Sequence, residues 1–217
     1  MKTPSRRGIT PNDDIFRLVS ALGFGIVFPI GSFYRLKSQA SGEKLDRREE
    51  GLFVLLTLRP IAAVEALAFF TYLIKPEWMG WSTVPLPRGF RWFGVGLGVL
   101  AAVLFITTLH TLGTNLTDTV VTRSNHTLVT RGVYRWVRHP FYVATALAIA
   151  AAAIVSANWF LGLAGAMTMA LLIQRTRTEE RNLVARFGDA YTKYMASTGR
   201  FIPRFRSSAD KPRPNHD

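Results

Sequence analysis

The sequence contains no cysteine in 217 residues, which removes disulfides, thiol nucleophiles and thiolate metal sites together. Acidic residues are scarce. Only 14 Asp+Glu face 27 Lys+Arg, for a formal net charge of +13. Glu49-Glu50 follow Arg47-Arg48 and read as a solvated loop, so the paired carboxylates of a hydrolase are not evident. The four histidines, His110, His126, His139 and His216, show no metal-ligand spacing, and no acidic cluster accompanies them. Ser124 and Ser156 have no neighbouring base.

A hydrophobic fraction of 48% and a mean hydropathy of +0.15 exclude a disordered or collagen-like chain. The apolar residues fall in blocks separated by basic stretches, the pattern of an all-α integral membrane protein. Five blocks are legible: Ile15–Tyr34, Leu52–Ile74, Trp92–Leu112, Phe141–Ser156 and Trp159–Ile173. The first 14 residues are polar and the block after them is long enough to stay in a membrane, so no cleaved leader is expected. The last two blocks are shorter than the ~20 residues a bilayer core asks for. They predict a tight helical hairpin with Asn158 in its turn and Trp159 at the interface. Small residues at Ala144, Ala148 and Ala152, and at Gly162 and Ala166, predict the packing faces. Gly94-Val95-Gly96-Leu97-Gly98 has no preceding strand and lies inside an apolar span, so it is not a phosphate loop.

With five spans, the first and third loops share a side with the C-terminal tail. That side carries 19 Lys+Arg against 7 on the other, which predicts an outside N-terminus and a cytoplasmic C-terminus in the plasma (inner) membrane. The positive charge then serves topology and membrane lipids, and no nucleic-acid partner is expected. Two polar stretches on that side, His126–Tyr142 and Gln174–Tyr194, are joined only by the hairpin and should meet at the membrane surface.

Pro140 suits the first turn of a helix, which puts His139 at or beside its N-cap. That place favours an electron-rich ligand, although Arg138-His139-Pro140 also reads simply as a membrane boundary. Arg175 and Glu179 share a helix face at i,i+4. They form either an ordinary surface pair or an ionisable pair at membrane depth with a function. Glu180 and Arg181 point elsewhere and are expected to be solvated. Gly188 should end the helix, with Asp189 capping a short segment that carries Tyr191 and Tyr194. Glu65, inside the second span, calls for an interhelical partner or a cavity.

These elements together resemble the isoprenylcysteine carboxyl methyltransferase family. The resemblance rests on His126-Thr-Leu-Val-Thr-Arg-Gly-Val-Tyr134, Arg138-His139-Pro140-Phe141-Tyr142, Arg175-Thr-Arg-Thr-Glu179-Glu180, Phe187-Gly188 with Tyr191 and Tyr194, and Arg200-Phe-Ile-Pro203. It covers roughly residues 108–204. It implies three parts: N-terminal transmembrane helices over 1–107, a methyltransferase-like core over 108–204, and a disordered basic tail over 205–217. It also implies S-adenosylmethionine as cofactor, in a cytosolic pocket built from the loop before the hairpin and the C-terminal helices. His126, Thr127, Leu128, Val129, Tyr134, His139, Pro140, Phe141, Tyr142 and Glu179 would line the cofactor. Arg175 would meet the substrate carboxylate, and Arg175, Glu179 and His139 would be the catalytic set. Thr119 stands where some members carry a cofactor-contacting glutamine.

The implied reaction is methylation of a lipid-like or prenylated acceptor entering from the bilayer. A carboxylate acceptor is already ionised at neutral pH and needs alignment and desolvation rather than a strong base. An amine acceptor, as in the related phospholipid N-methyltransferases, would need His139 or Glu179 as base. A non-catalytic membrane scaffold or transport component, and a reductase of the same wider group, are the other readings. Arg175 favours the anionic acceptor.

Overall fold

The computed structural model describes residues 11–39, 54–113 and 127–204. Helix α1 covers Pro11–Gln39. A π-helical turn, Val54–Leu58, leads into α2, Arg59–Ile74. Pro60 sits in the first turn of α2, where its missing N–H has no intrahelical partner to lose. A 3₁₀ segment, Pro76–Ser82, connects to α3, Arg88–Leu112. A short 3₁₀ turn at Gly132–Arg135 precedes α4, Pro140–Ser156; α5 spans Trp159–Phe187 and α6 Asp189–Ser197.

Three stretches, Asp13–Ser38, Leu56–Ile74 and Arg88–Leu112, are long and apolar enough to cross a membrane, and α4 is a shorter apolar helix. Their outward faces are apolar. Leu18, Leu22, Ile26, Leu67, Phe93 and Leu100 are all more than half exposed, as expected of a surface solvated by lipid rather than water. The hairpin is present, and its second arm ends at Gly188 as expected. The apolar run stops at Ile173 while α5 continues to Phe187 without a break, because no Gly or Pro lies between Ile173 and Gly188. At ~1.5 Å per residue its 29 residues reach about 44 Å.

Asn158 organises the hairpin turn. Ala157 takes a left-handed conformation (φ 50°), and the Asn158 side chain accepts from Leu161 N at 3.1 Å, capping α5. The same side chain donates to Ser82 Oγ at 2.8 Å, and Val84 N donates to Ala157 O at 2.7 Å. The connection between α2 and α3 is thereby tied across the turn, with Trp81 edge-on to Trp159 at 5.4 Å.

At the same end, the buried Arg91 of α3 donates to Val155 O of α4 at 2.9 Å and pairs with Asp13 of α1. Arg17 of α1 donates to Leu73 O at 2.7 Å. Deeper in the bundle, Glu65 has the interhelical partner its position calls for: Thr168 Oγ1 of α5 donates to it at 2.8 Å.

The close packing uses part of the set that the four-residue spacing picks out. Ala144 is buried and Gly162 lies against Ala153, but Ala148 and Ala166 are exposed, and Ala151, outside that spacing, is buried. Gly94 of α3 lets α4 pack tightly: a Cβ there would lie 2.7 Å from Ile154 Cγ2 and 3.0 Å from Val155 Cγ2. The glycine cluster read as unsuited to phosphate is thus a helix-packing face inside α3. We expect Asn158→Ala to cost about 2 kcal/mol through the lost cap and the lost hydrogen bond to Ser82 Oγ, which keeps its own bond to Met79 O. The thermal midpoint of the protein in detergent measures it.

Candidate active site

The two polar stretches meet at the end of the bundle opposite the Asn158 turn. Arg138 N donates to Gly199 O at 2.8 Å and His139 N to Arg200 O at 3.1 Å, so the chain before α4 runs beside the chain after α6. Gly199 is required at this junction, since a Cβ there would collide with the carbonyl oxygen of Ile202. The backbone of His139 is the N-cap of α4, as expected, but its side chain does not cap. It turns toward α5 and two adjacent glutamates.

Those glutamates have different surroundings. Glu180 is 6% exposed and lies among cations. Arg138 Nε donates to its Oε1 at 3.0 Å, His139 Nε2 lies 3.2 Å from the same oxygen, and Arg200 pairs with Oε2. Arg138 also donates to the carbonyls of Met195 (3.0 Å) and Thr198. Burial alone would push the Glu180 carboxyl up, but hydrogen bonds from His139, Arg200 and Arg138 outweigh it and hold the group at about 2, against an ordinary 4.5.

Glu179 is a little more open. Its Oε1 accepts from the Tyr142 hydroxyl at 2.6 Å and lies 3.1 Å from Arg175 Nε, while Oε2 lies 3.7 Å from His139 Nδ1. Tyr191 and Tyr194 pack edge-on at 5.8 Å, and the Tyr194 hydroxyl donates to Tyr134 O at 2.6 Å. Burial, then the charges of Tyr194 and Glu179, push the Tyr134 phenol up.

The structure therefore brings together Arg175, Glu179, His139 and Tyr142. Pro140 is fully buried behind them. Phe141 points elsewhere, with its ring 5.4 Å from Phe105 of α3. Thr127 is exposed, while Leu128 and Val129 are half-buried in an irregular approach to Arg131. His126 and Thr119 lie outside the described residues. Glu180 corrects the sequence reading: it is buried and neutralised, not solvated. Its signal was present in Arg138 and Arg200, but only the fold shows that both reach it. Asp189 also differs, since it opens α6 while Gly188, at φ 53°, takes the N-cap position.

Comparison with known proteins bears on this arrangement directly. Residues 94–185 match the model of the isoprenylcysteine carboxyl methyltransferase (ICMT) family. The resemblance holds. The ICMT match spans α3, α4 and nearly all of α5, the helices that supply Arg175, Glu179, His139 and Tyr142. The chain is 29% identical over 132 residues to the protein-S-isoprenylcysteine O-methyltransferase of Dictyostelium discoideum, covering 58% of this chain and 55% of that protein. It is 33% identical over 98 residues to the enzyme of that name in Homo sapiens, covering 44% and 34%. The matches thus span about half or less of these relatives' length.

Among solved structures, it is similar to the eukaryotic intramembrane Ras methyltransferase ICMT, with a TM-score of 0.54 and 23% identity, over 85% of this chain and 67% of that one. The fold is that of a helical integral membrane protein, and no strand occurs among the described residues.

Removing Glu180 leaves two guanidiniums without their carboxylate, so Glu180→Ala should cost about 3–5 kcal/mol. Because the folded-state value is depressed, this contribution is complete above pH 4.5 and is lost as pH falls from there through about 2. Unfolding followed against pH should show wild type and variant converging across that window.

Proposed function

We infer that this chain is a membrane methyltransferase that transfers a methyl group from S-adenosylmethionine to the carboxylate of an isoprenylcysteine-type, lipid-like acceptor. The observation that carries this reading is the Glu179 carboxylate, held on one oxygen by Arg175 and Tyr142 where α5 leaves its apolar run. S-adenosylmethionine, when bound, supplies an electrophilic methyl group on a positively charged sulfur. The residues present suit it: Glu179 and His139 offer acceptors for its ammonium. His126, Thr127, Leu128, Val129, Tyr134, Pro140, Phe141 and Tyr142 are the other residues that would hold it.

Arg175 aligns the acceptor. A guanidinium carries five N–H donors, enough to serve Glu179 and a second carboxylate. The acceptor carboxylate is ionised at neutral pH, so the tasks left to the protein are orientation and the exclusion of water. The apolar outer faces of the helices let a prenyl chain approach sideways from the lipid. The excess of basic residues on the site's side supports a plasma (inner) membrane location with the N-terminus outside and the site cytoplasmic. On this reading residues 108–204 form the catalytic core and 1–107 its membrane support.

Methyl transfer from radiolabelled S-adenosylmethionine to a small prenylated cysteine, in membranes, tests the reaction. A methyl ester releases volatile methanol in base, whereas an N-methyl group does not. Base-labile counts should appear with wild type and vanish in Glu179→Ala. Arg175→Ala should raise KM for the acceptor on the order of tenfold to a hundredfold, the worth of a hydrogen bond to a charged group. Base-stable counts alone would replace the carboxylate with an amine acceptor.

A further inference from the structure

The two oxygens of Glu179 are not equivalent. Oε1 is served by Tyr142 at 2.6 Å and Arg175 at 3.1 Å. Oε2 faces His139 Nδ1 at 3.7 Å, beyond hydrogen-bond range. The other ring nitrogen, Nε2, is 3.2 Å from Glu180 Oε1, close enough for a hydrogen bond. An ionised carboxylate can only accept, so the single proton of a neutral imidazole belongs on Nε2.

We propose that Glu180 is a positioning residue that holds His139 in its Nε2–H form, leaving Nδ1 as a bare acceptor opposite Glu179 Oε2. The two facing acceptors then form a built receptor for a primary ammonium, which brings both the N–H donors and the positive charge they lack. The inference rests on the methyltransferase reading only for the identity of that ammonium as the cofactor's.

The surroundings give Glu180 the means. Its carboxylate is itself fixed by Arg138 and Arg200, and Arg138 is pinned to the carbonyls of Met195 and Thr198. The imidazole is held between Tyr142 (5.4 Å, edge-on) and Phe201 (5.8 Å), and its backbone N–H is taken by Arg200 O. The ring therefore cannot flip to exchange its nitrogens without breaking several contacts at once. The three guanidiniums of Arg138, Arg175 and Arg200 already exceed the two carboxylates of Glu179 and Glu180 without an imidazolium. A histidine set by a carboxylate on one nitrogen so that the other is available is a recurrent arrangement in functional sites.

Long-range ¹H–¹⁵N spectra of the full chain, labelled at histidine nitrogen and held in nanodiscs at pH 8, read the tautomer directly. His139→Gln identifies the resonances by their loss. We expect a protonated Nε2 and a bare Nδ1 in wild type and in Glu180→Gln, whose amide oxygen still accepts, and a mixture of tautomers in Glu180→Leu. Wild-type protein with the proton on Nδ1, or on both nitrogens, overturns the proposal, as does an unchanged tautomer in Glu180→Leu.

Ligand binding gives a second measurement that does not depend on that variant folding. S-adenosylhomocysteine should shift the Nδ1 resonance and bind at least tenfold more tightly than its analogue lacking the amine. Equal binding of the two overturns the ammonium receptor. Wild type with the expected tautomer and no methyl transfer would instead defeat the enzymatic reading alone. Active wild type with the proton on Nδ1 would defeat only this inference.

Discussion

The contact on which the site depends is the buried carboxylate of Glu180. It lies where three pieces of chain distant in sequence converge: the approach to α4 through Arg138 and His139, the polar half of α5, and the segment after α6 through Arg200. None of these pieces has an apolar face large enough to bury against the others as a membrane helix does. What joins them is charge and main-chain hydrogen bonding, with the Val137–Gly199 bridge running alongside. Such an ion cluster costs desolvation, and it persists only because nearly every polar atom in it has a partner.

Adjacent glutamates on one helix are thereby given different tasks by a rotation of one residue. Glu180 faces inward and is matched by cations, which makes it a structural anchor. Glu179 lies about 100° around α5 and is held on only one oxygen, which leaves the other for a ligand. The difference comes from neither residue type nor local sequence. It comes from which elements pack against each face of α5.

The same distinction explains what the sequence made legible. The apolar blocks, the hairpin and its Asn158 turn, the partner for Glu65 and the meeting of the two polar stretches all follow from hydropathy, charge placement and connectivity, which are local or nearly so. The pairing of Arg175 with Glu179 follows from helical spacing. Glu180 was misread because its three partners lie 20 to 42 positions away, and nothing local marks an acidic residue beside Arg181 as buried. The packing faces were partly legible, in Ala144 and Gly162, and partly missed for a related reason. Ala148 has the right spacing but the wrong azimuth, while the tight contact at Gly94 depends on how α3 is rotated against α4. The end of α5 was legible in Gly188, and its passage beyond the apolar run in the helical spacing of Arg175 and Glu179.

That unbroken helix has a further consequence. From Asn158 to Gly188 one unbroken helix carries the turn at one end, an apolar stretch, and both glutamates toward the other end. Its length acts as a gauge. Each residue added or removed between Trp159 and Gln174 would shift Glu179 by about 1.5 Å along the α5 axis and turn it by about 100°. The height of Arg175 and Glu179 above the hairpin turn and the azimuth they face are therefore set by one count, and neither can drift without the other.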